Sequence, residues 1–192
     1  MAYKFDPDKK QKLHSEERKN NMPPKETLED MLLKKNERFL DIGAGIGYFT
    51  LPAAEIVGNG GMVFAVDTSE EMLEELRKRL KEKSITNITT VQGKDYNTDI
   101  ANEKVDYIFL SNVLHEVEDK MRFLNNYLDK LKTGGKLGII EFKKIKIPKG
   151  PPIQHKISKD ELKAIYEKLS IDIIKEVDIN DFQYGIVGKK TK

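Results

Sequence analysis

Two hydrophobic rhythms alternate along most of the chain. Compact apolar runs occur at residues 38–42, 62–66, 88–91, 105–110 and 136–142, each of a length suited to a buried strand. Between them apolar residues return every three or four positions, which predicts helices with one apolar face. Leu28, Met31 and Leu32 do so behind Pro23-Pro24, and Leu51, Ala53, Ala54, Ile56 and Val57 do so before Gly58-Asn59-Gly60-Gly61. Met72, Leu73, Leu76 and Leu80, then Met121, Leu124, Leu128 and Leu131, give two more helical faces. Thr68-Ser69-Glu70-Glu71 and Ser158-Lys159-Asp160-Glu161 read as capping boxes, the second opening a helix with Leu162, Ile165, Tyr166 and Leu169. Thr133-Gly134-Gly135 reads as the turn into the strand at 136–142.

Strand and helix alternate as far as Phe142, which argues for a doubly wound α/β domain around a mostly parallel sheet with right-handed crossovers. The rhythm then changes. Two strand-like runs, 171–177 and 182–188, are separated by only four residues and predict a C-terminal antiparallel hairpin. Residues 1–21 are strongly polar, with Tyr3, Phe5 and Leu13 their main apolar side chains. They are expected to form an N-terminal arm or lid on a single domain spanning 22–192.

Composition narrows the chemistry. The 192 residues hold 34 Lys and Arg against 32 Asp and Glu, so the formal net charge of +2 gives no general electrostatic case for nucleic acid. There is no cysteine, which excludes disulfides, thiolate metal sites and cysteine nucleophiles and fits a reducing cytoplasm. No apolar run approaches the length of a membrane span, and the first residues lack the apolar core of a signal peptide. A soluble, cytoplasmic protein is expected.

The densest chemical signal is residues 39–50, where an apolar strand passes through Gly43, Gly45 and Gly47 into a helix. Alternating glycines let a ligand approach the main chain, and a helix N-terminus favours an anionic group. In an open sheet, ligands sit beyond the carboxyl ends of the strands where strand order reverses, so the turn after the first strand is the expected site. A dinucleotide fingerprint, G-x-G-x-x-G, would need glycine where Tyr48 stands. The sequence instead shows G-x-G-x-G with an acid, Asp41, two residues before it.

Asp41-Ile42-Gly43-Ala44-Gly45-Ile46-Gly47 resembles the first motif of class I S-adenosylmethionine-dependent methyltransferases. Val63-Phe64-Ala65-Val66-Asp67 is similar to that family's second strand with its terminal acid, and Gly93-Lys94-Asp95 to its third-strand loop. Leu110-Ser111-Asn112-Val113-Leu114-His115-Glu116 resembles the end of the fourth strand, and Leu131-Lys132-Thr133-Gly134-Gly135-Lys136-Leu137 the turn before the fifth. The likeness extends over about residues 22–190 in order and spacing, and within the family it is nearest to the small single-domain ubiquinone/menaquinone-biosynthesis group.

The resemblance implies a seven-stranded Rossmann-like sheet, S-adenosyl-L-methionine as methyl donor with S-adenosyl-L-homocysteine as product, and a small-molecule acceptor. It also implies residue roles. Gly43, Gly45 and Gly47 would pass close to the methionine part of the cofactor, with Asp41 orienting that loop. Asp67 would accept both ribose hydroxyls, Thr68 and Met72 would border the adenine, Asp95 would accept its exocyclic amine, and the backbone around Ser111 would receive the ammonium. Tyr48 and Phe49 read as helix packing.

His115, just past the fourth strand, is the candidate catalytic base, because an imidazole there could take a proton from an amine, phenol or enol. Methyl transfer needs little such help, since a sulfonium is already activated and in-line positioning supplies much of the rate. Glu116, Glu141, His14 and His155 are weaker candidates, and three scattered histidines predict no metal site. Lys143, Lys144, Lys146 and Lys149 form a basic run that reads as a solvated face more readily than as an RNA contact. Three other readings remain open: an RNA methyltransferase, a regulatory module that binds the cofactor without turnover, and a nicotinamide-dependent oxidoreductase.

Overall fold

The computed structural model describes residues 16–94, 100, 104–147 and 150–191. Seven strands, β1 (Arg38–Ile42), β2 (Met62–Asp67), β3 (Ile88–Gln92), β4 (Val105–Ser111), β5 (Leu131–Phe142), β6 (Ile171–Asp178) and β7 (Gln183–Lys190), form one sheet in the order β3-β2-β1-β4-β5-β7-β6. The first five pair in parallel, whereas β7 runs antiparallel to both β5 and β6. The expected doubly wound, mostly parallel α/β sheet with a reversed C-terminal hairpin is present. Strand order reverses between β1 and β4, whose ends lie side by side with Ile42 opposite Leu110.

Helices α1 (Glu16–Asn21), α2 (Pro24–Asp30), α3 (Thr50–Val57), α4 (Glu70–Glu82), α5 (Lys120–Leu128) and α6 (Lys159–Lys168) flank the sheet. Because side chains alternate along a strand, each central strand feeds two cores. Leu40, Phe64, Ile108 and Leu110 pack with Phe123 and Leu124 of α5 and Leu162 and Tyr166 of α6. Their neighbours Phe39, Val63, Tyr107 and Phe109 pack on the other face with Leu28 of α2 and Ala53, Ala54 and Val57 of α3. Burial on both faces explains why the central strands read as unbroken apolar runs, while edge strands β3 and β6 are largely half-buried or exposed. Asp41 is in phase with Phe39, which turns its carboxylate toward α3.

The structure departs from the sequence expectations in three places. α5 ends at Leu128, and Leu131 begins β5 opposite Val105. Helical continuation and a new strand both return Leu131 to the core that holds Leu128, so the spacing could not separate them. A register shift between Val105 and Tyr107 lets Gly134-Gly135 lie within the strand instead of forming a separate turn. At the end of α2, Leu32 adopts φ 67°, which leaves it half-buried and carries Leu33 into the core in its stead.

The third departure is at α4, where Ser69 is the N-cap and accepts from the Met72 N–H, so no reciprocal glutamate completes a box. The predicted box at Ser158 is complete, with Ser158 and Glu161 each bonding the other's backbone.

Candidate functional site

The turn after β1 is built by backbone geometry. Gly43, Gly45 and Gly47 adopt φ of 73°, 53° and 90°. At Gly43 this left-handed conformation coincides with close packing, because a β-carbon there would lie 2.4 Å from Val113 Cγ2 in the segment after β4. The Gly43 and Ala44 N–H groups both donate to the Val66 carbonyl, which fixes the turn to the end of β2.

Asp67, the last residue of β2, ties the two loops together. Its Oδ2 accepts from the Gly45 N–H at 2.8 Å and its Oδ1 from the Ser69 N–H at 2.9 Å. A carboxylate offers about four acceptor positions, so capacity remains on both oxygens. Burial raises the Asp67 pKa above the ordinary aspartate range, partly offset by the N–H bonds from Ser69 and Gly45. Thr68 beside it is exposed and Met72 is buried on α4. The Gly93 N–H donates to the Asp67 carbonyl, which brings the β3 loop to the same place, but Asp95 lies outside the described residues.

Asp41 sits beneath the turn, 3% exposed, with the Thr50 hydroxyl donating to its Oδ2 at 2.6 Å. Burial pushes its pKa up to about 7; the Thr50 bond opposes the shift, the Asp67 charge adds to it and Arg18 opposes it. Arg18, on α1, lies with its guanidinium carbon 4.0 Å from the centroid of the Tyr48 ring, and burial lowers its own pKa to about 10. The Tyr48 hydroxyl donates to the Met22 carbonyl, and the buried Phe49 ring packs edge-on against Phe109, so both aromatics are packing residues as expected. Arg18 thus reaches the residues around the glycine turn although it lies in the stretch read as an arm; nothing in its sequence context distinguishes it from its charged neighbours.

The neighbouring β4 contributes Ser111, half-buried and paired in register with Ile140 of β5. Beyond it a 3-10 turn, Leu114–Glu116, carries His115. His115 Nδ1 lies 2.8 Å from Oε2 of Glu141 on β5, and the His115 backbone N–H donates to Oε1 of the same carboxylate. Both residues are buried, Glu141 completely. His115 also lines an open cavity of about 440 Å³, lined elsewhere by residues that include Lys120, Lys144, His155 and Glu161. A signal for Glu141 was legible, namely a lone acid inside an otherwise apolar strand. His14 lies outside the described residues, and among the described residues no group of three or more His, Asp or Glu could hold a metal.

Of the basic run, Lys143 pairs with Asp178 at 3.3 Å and Lys144 with Glu161 at 2.7 Å, so two of its charges are neutralised within the chain; Lys149 lies outside the described residues. Among the described residues no helix is long and apolar enough to cross a membrane.

Comparison with known proteins bears on the family and the fold. The sequence model of the ubiE/COQ5 methyltransferase family matches residues 17–162. A ubiquinone/menaquinone biosynthesis C-methyltransferase UbiE from Proteus mirabilis is 31% identical over 159 residues, 81% of this chain and 59% of that protein. A demethylmenaquinone methyltransferase from Geobacillus is 29% identical over 116 residues, 60% of this chain and 50% of that one. The chain therefore spans between half and three fifths of the length of these curated relatives. A crystal structure of a SAM dependent methyltransferase from Aquifex aeolicus superposes with a TM-score of 0.90 at 28% identity, covering 96% of this chain and 98% of that one. The [4+2]-cyclase SpnF, at 16% identity and a TM-score of 0.70, shares the fold.

Proposed function

Because the chain belongs to the ubiE/COQ5 methyltransferase family, we propose that it transfers a methyl group from S-adenosylmethionine to a small-molecule acceptor without a metal. The observation that carries this reading is the Asp67 carboxylate, fastened between the Gly45 and Ser69 N–H groups at the strand-order reversal, with acceptor capacity left for a vicinal diol. A ribose presents such a diol. Bound there, the cofactor supplies a methyl group already activated by a sulfonium.

The chain's own residues bind and orient. Asp67 accepts the ribose hydroxyls, and Met72 borders the adenine together with the adjacent Thr68. The glycine turn at 43–47 passes along the methionine part, the backbone around Ser111 receives its ammonium, and Asp41 holds the turn from beneath. Asp95 retains its role toward the adenine amine as part of the same proposal. Residues 1–21 act as an arm or lid in the same proposal, supported within the described residues by α1, which brings Arg18 over Tyr48. The names of the curated relatives support a small-molecule acceptor, and the internal pairing of Lys143 and Lys144 removes part of the case for RNA.

Isothermal calorimetry with S-adenosylmethionine, S-adenosylhomocysteine and nicotinamide dinucleotides tests the cofactor. Heat from the two sulfur compounds alone is expected, and nicotinamide binding with none from them would overturn the reading. A labelled-methyl assay on extract separated into small molecules, RNA and protein then tests the acceptor class. Label is expected among the small molecules; label in RNA or protein would refute that part.

A further inference from the structure

We propose that Glu141 and His115 form a positioning-and-base pair, and that the 440 Å³ cavity beside them takes an acceptor whose nucleophilic atom carries a removable proton: a hydroxyl, a thiol or an acidic C–H. The inference rests on the methyl-transfer reading above and extends it to the acceptor side. Its starting point is the pair of contacts from one carboxylate to one residue. Glu141 Oε1 accepts the His115 backbone N–H at 3.1 Å while Oε2 lies 2.8 Å from Nδ1. We take Glu141 as ionised and the ring as neutral; a carboxylate only accepts, so this pairing puts the ring hydrogen on Nδ1 and leaves the lone pair on Nε2. The double contact fixes the rotation of the ring as well as its tautomer. Phe142 closes one side, its ring centroid 5.8 Å from that of the imidazole and edge-on to it.

An acid in the middle of a sheet is costly unless it has such a task. Glu141 is fully buried on a strand whose neighbours, Ile139 and Ile140, are pure core. Two backbone positions away from His115, Val113 packs against Gly43 of the cofactor turn, so the imidazole and the proposed cofactor site are joined by one short segment. His115 lines the cavity, and the group facing Nε2 from its own turn is Glu116, with Oε1 at 3.9 Å, beyond hydrogen-bonding distance.

Half of the remaining lining residues are charged, and four of those five have partners within the chain. The Lys156 ammonium donates to the Ile145 carbonyl, the Lys120 ammonium to the Val117 carbonyl, and Lys144 pairs with Glu161. These groups make a polar site, suited to a compact polar acceptor. In the transfer step the acceptor X–H bond gives its electron pair to the new X–CH3 bond and its proton to Nε2. The sulfur keeps the pair of the broken S–CH3 bond as a neutral thioether, and the Glu141 carboxylate balances the resulting imidazolium.

The test needs no acceptor. Nitrogen-15 NMR of the imidazoles in the full chain, with His115→Gln to assign the signal among the three histidines, reads the tautomer directly. The expected wild-type pattern is a neutral ring protonated at Nδ1, and Glu141→Leu, which leaves Nδ1 without an acceptor at that position, is expected to abolish that single-tautomer pattern. A ring protonated at Nε2, an imidazolium at neutral pH, or an unchanged pattern in Glu141→Leu would each overturn the proposal, and the wild-type spectrum decides even if the variant fails to fold. Calorimetry with S-adenosylmethionine separates the two levels of inference. Loss of wild-type binding would sink the methyl-transfer reading itself. Tenfold weaker binding in His115→Gln alone would move His115 into the cofactor site and overturn its acceptor-side assignment.

Discussion

Replacing Asp41 with asparagine isolates the cost of holding an ionised carboxylate beneath the glycine turn. The side chain is 3% exposed, and its pKa stands at about 7 against an ordinary 3.8, burial being the main cause. A folded-state pKa above the unfolded one means stability that is complete below the unfolded value and lost as pH rises through the folded value. The whole difference corresponds to roughly 4 kcal/mol, of which about 2–3 kcal/mol disappears between pH 5 and pH 8. The asparagine side chain does not ionise and can still accept the Thr50 hydroxyl. Burying its amide imposes a cost, but that cost is the same at both pH values.

The quantity to measure is therefore the difference between variant and wild-type unfolding free energies, obtained by urea titration followed by circular dichroism at constant ionic strength without cofactor. From pH 5 to pH 8 this difference should move by about 2–3 kcal/mol in favour of Asp41→Asn. In melting temperature that is roughly 5–10 °C for a chain of this size. A difference that stays constant, or moves the other way, would refute the claim that Asp41 is strained by its own charge.

Three further outcomes follow from the same site. S-adenosylmethionine carries two cationic groups, so its binding above Asp41 favours the carboxylate through space; affinity should fall below pH 7 by up to about tenfold per pH unit, and a flat profile from pH 8 to pH 6 would count against that electrostatic coupling. Asp67→Ala should weaken cofactor binding tenfold or more, since charge-assisted hydrogen bonds contribute about 1.5–3 kcal/mol each, and an unchanged calorimetric isotherm would remove Asp67 from the site. Gly43→Ala should cost about 1–3 kcal/mol in urea denaturation through its positive φ and the collision with Val113. Val113→Ala in the same chain should restore only part of that, because the backbone strain persists, and a fully stable Gly43→Ala would refute the packing argument.

Much of the fold was legible because the central strands are buried on both faces and so read as continuous apolar runs, while the helices carry a single apolar face. Errors fell where one local pattern serves two structures. Leu131 satisfies both the periodicity of α5 and the core face of β5, and Leu32 completes a helical spacing that its own positive φ interrupts. The glycine turn was also readable, because such a turn between an apolar strand and a helix constrains the backbone whatever surrounds it.

The sequence by itself determined the order of elements, the glycine turn with Asp41 beneath it, and Asp67 at the next strand's end, since each depends on residues adjacent in the chain. Tertiary structure alone decided that Arg18 from the N-terminal helix reaches Tyr48, that Asp67 bridges Gly45 and Ser69, and that Glu141 grips His115 across 26 positions. The physical reason is that a hydrogen bond between strands depends on register and strand order. Only the placement of β5 beside β4 turns a lone acid in an apolar run into the partner of a histidine.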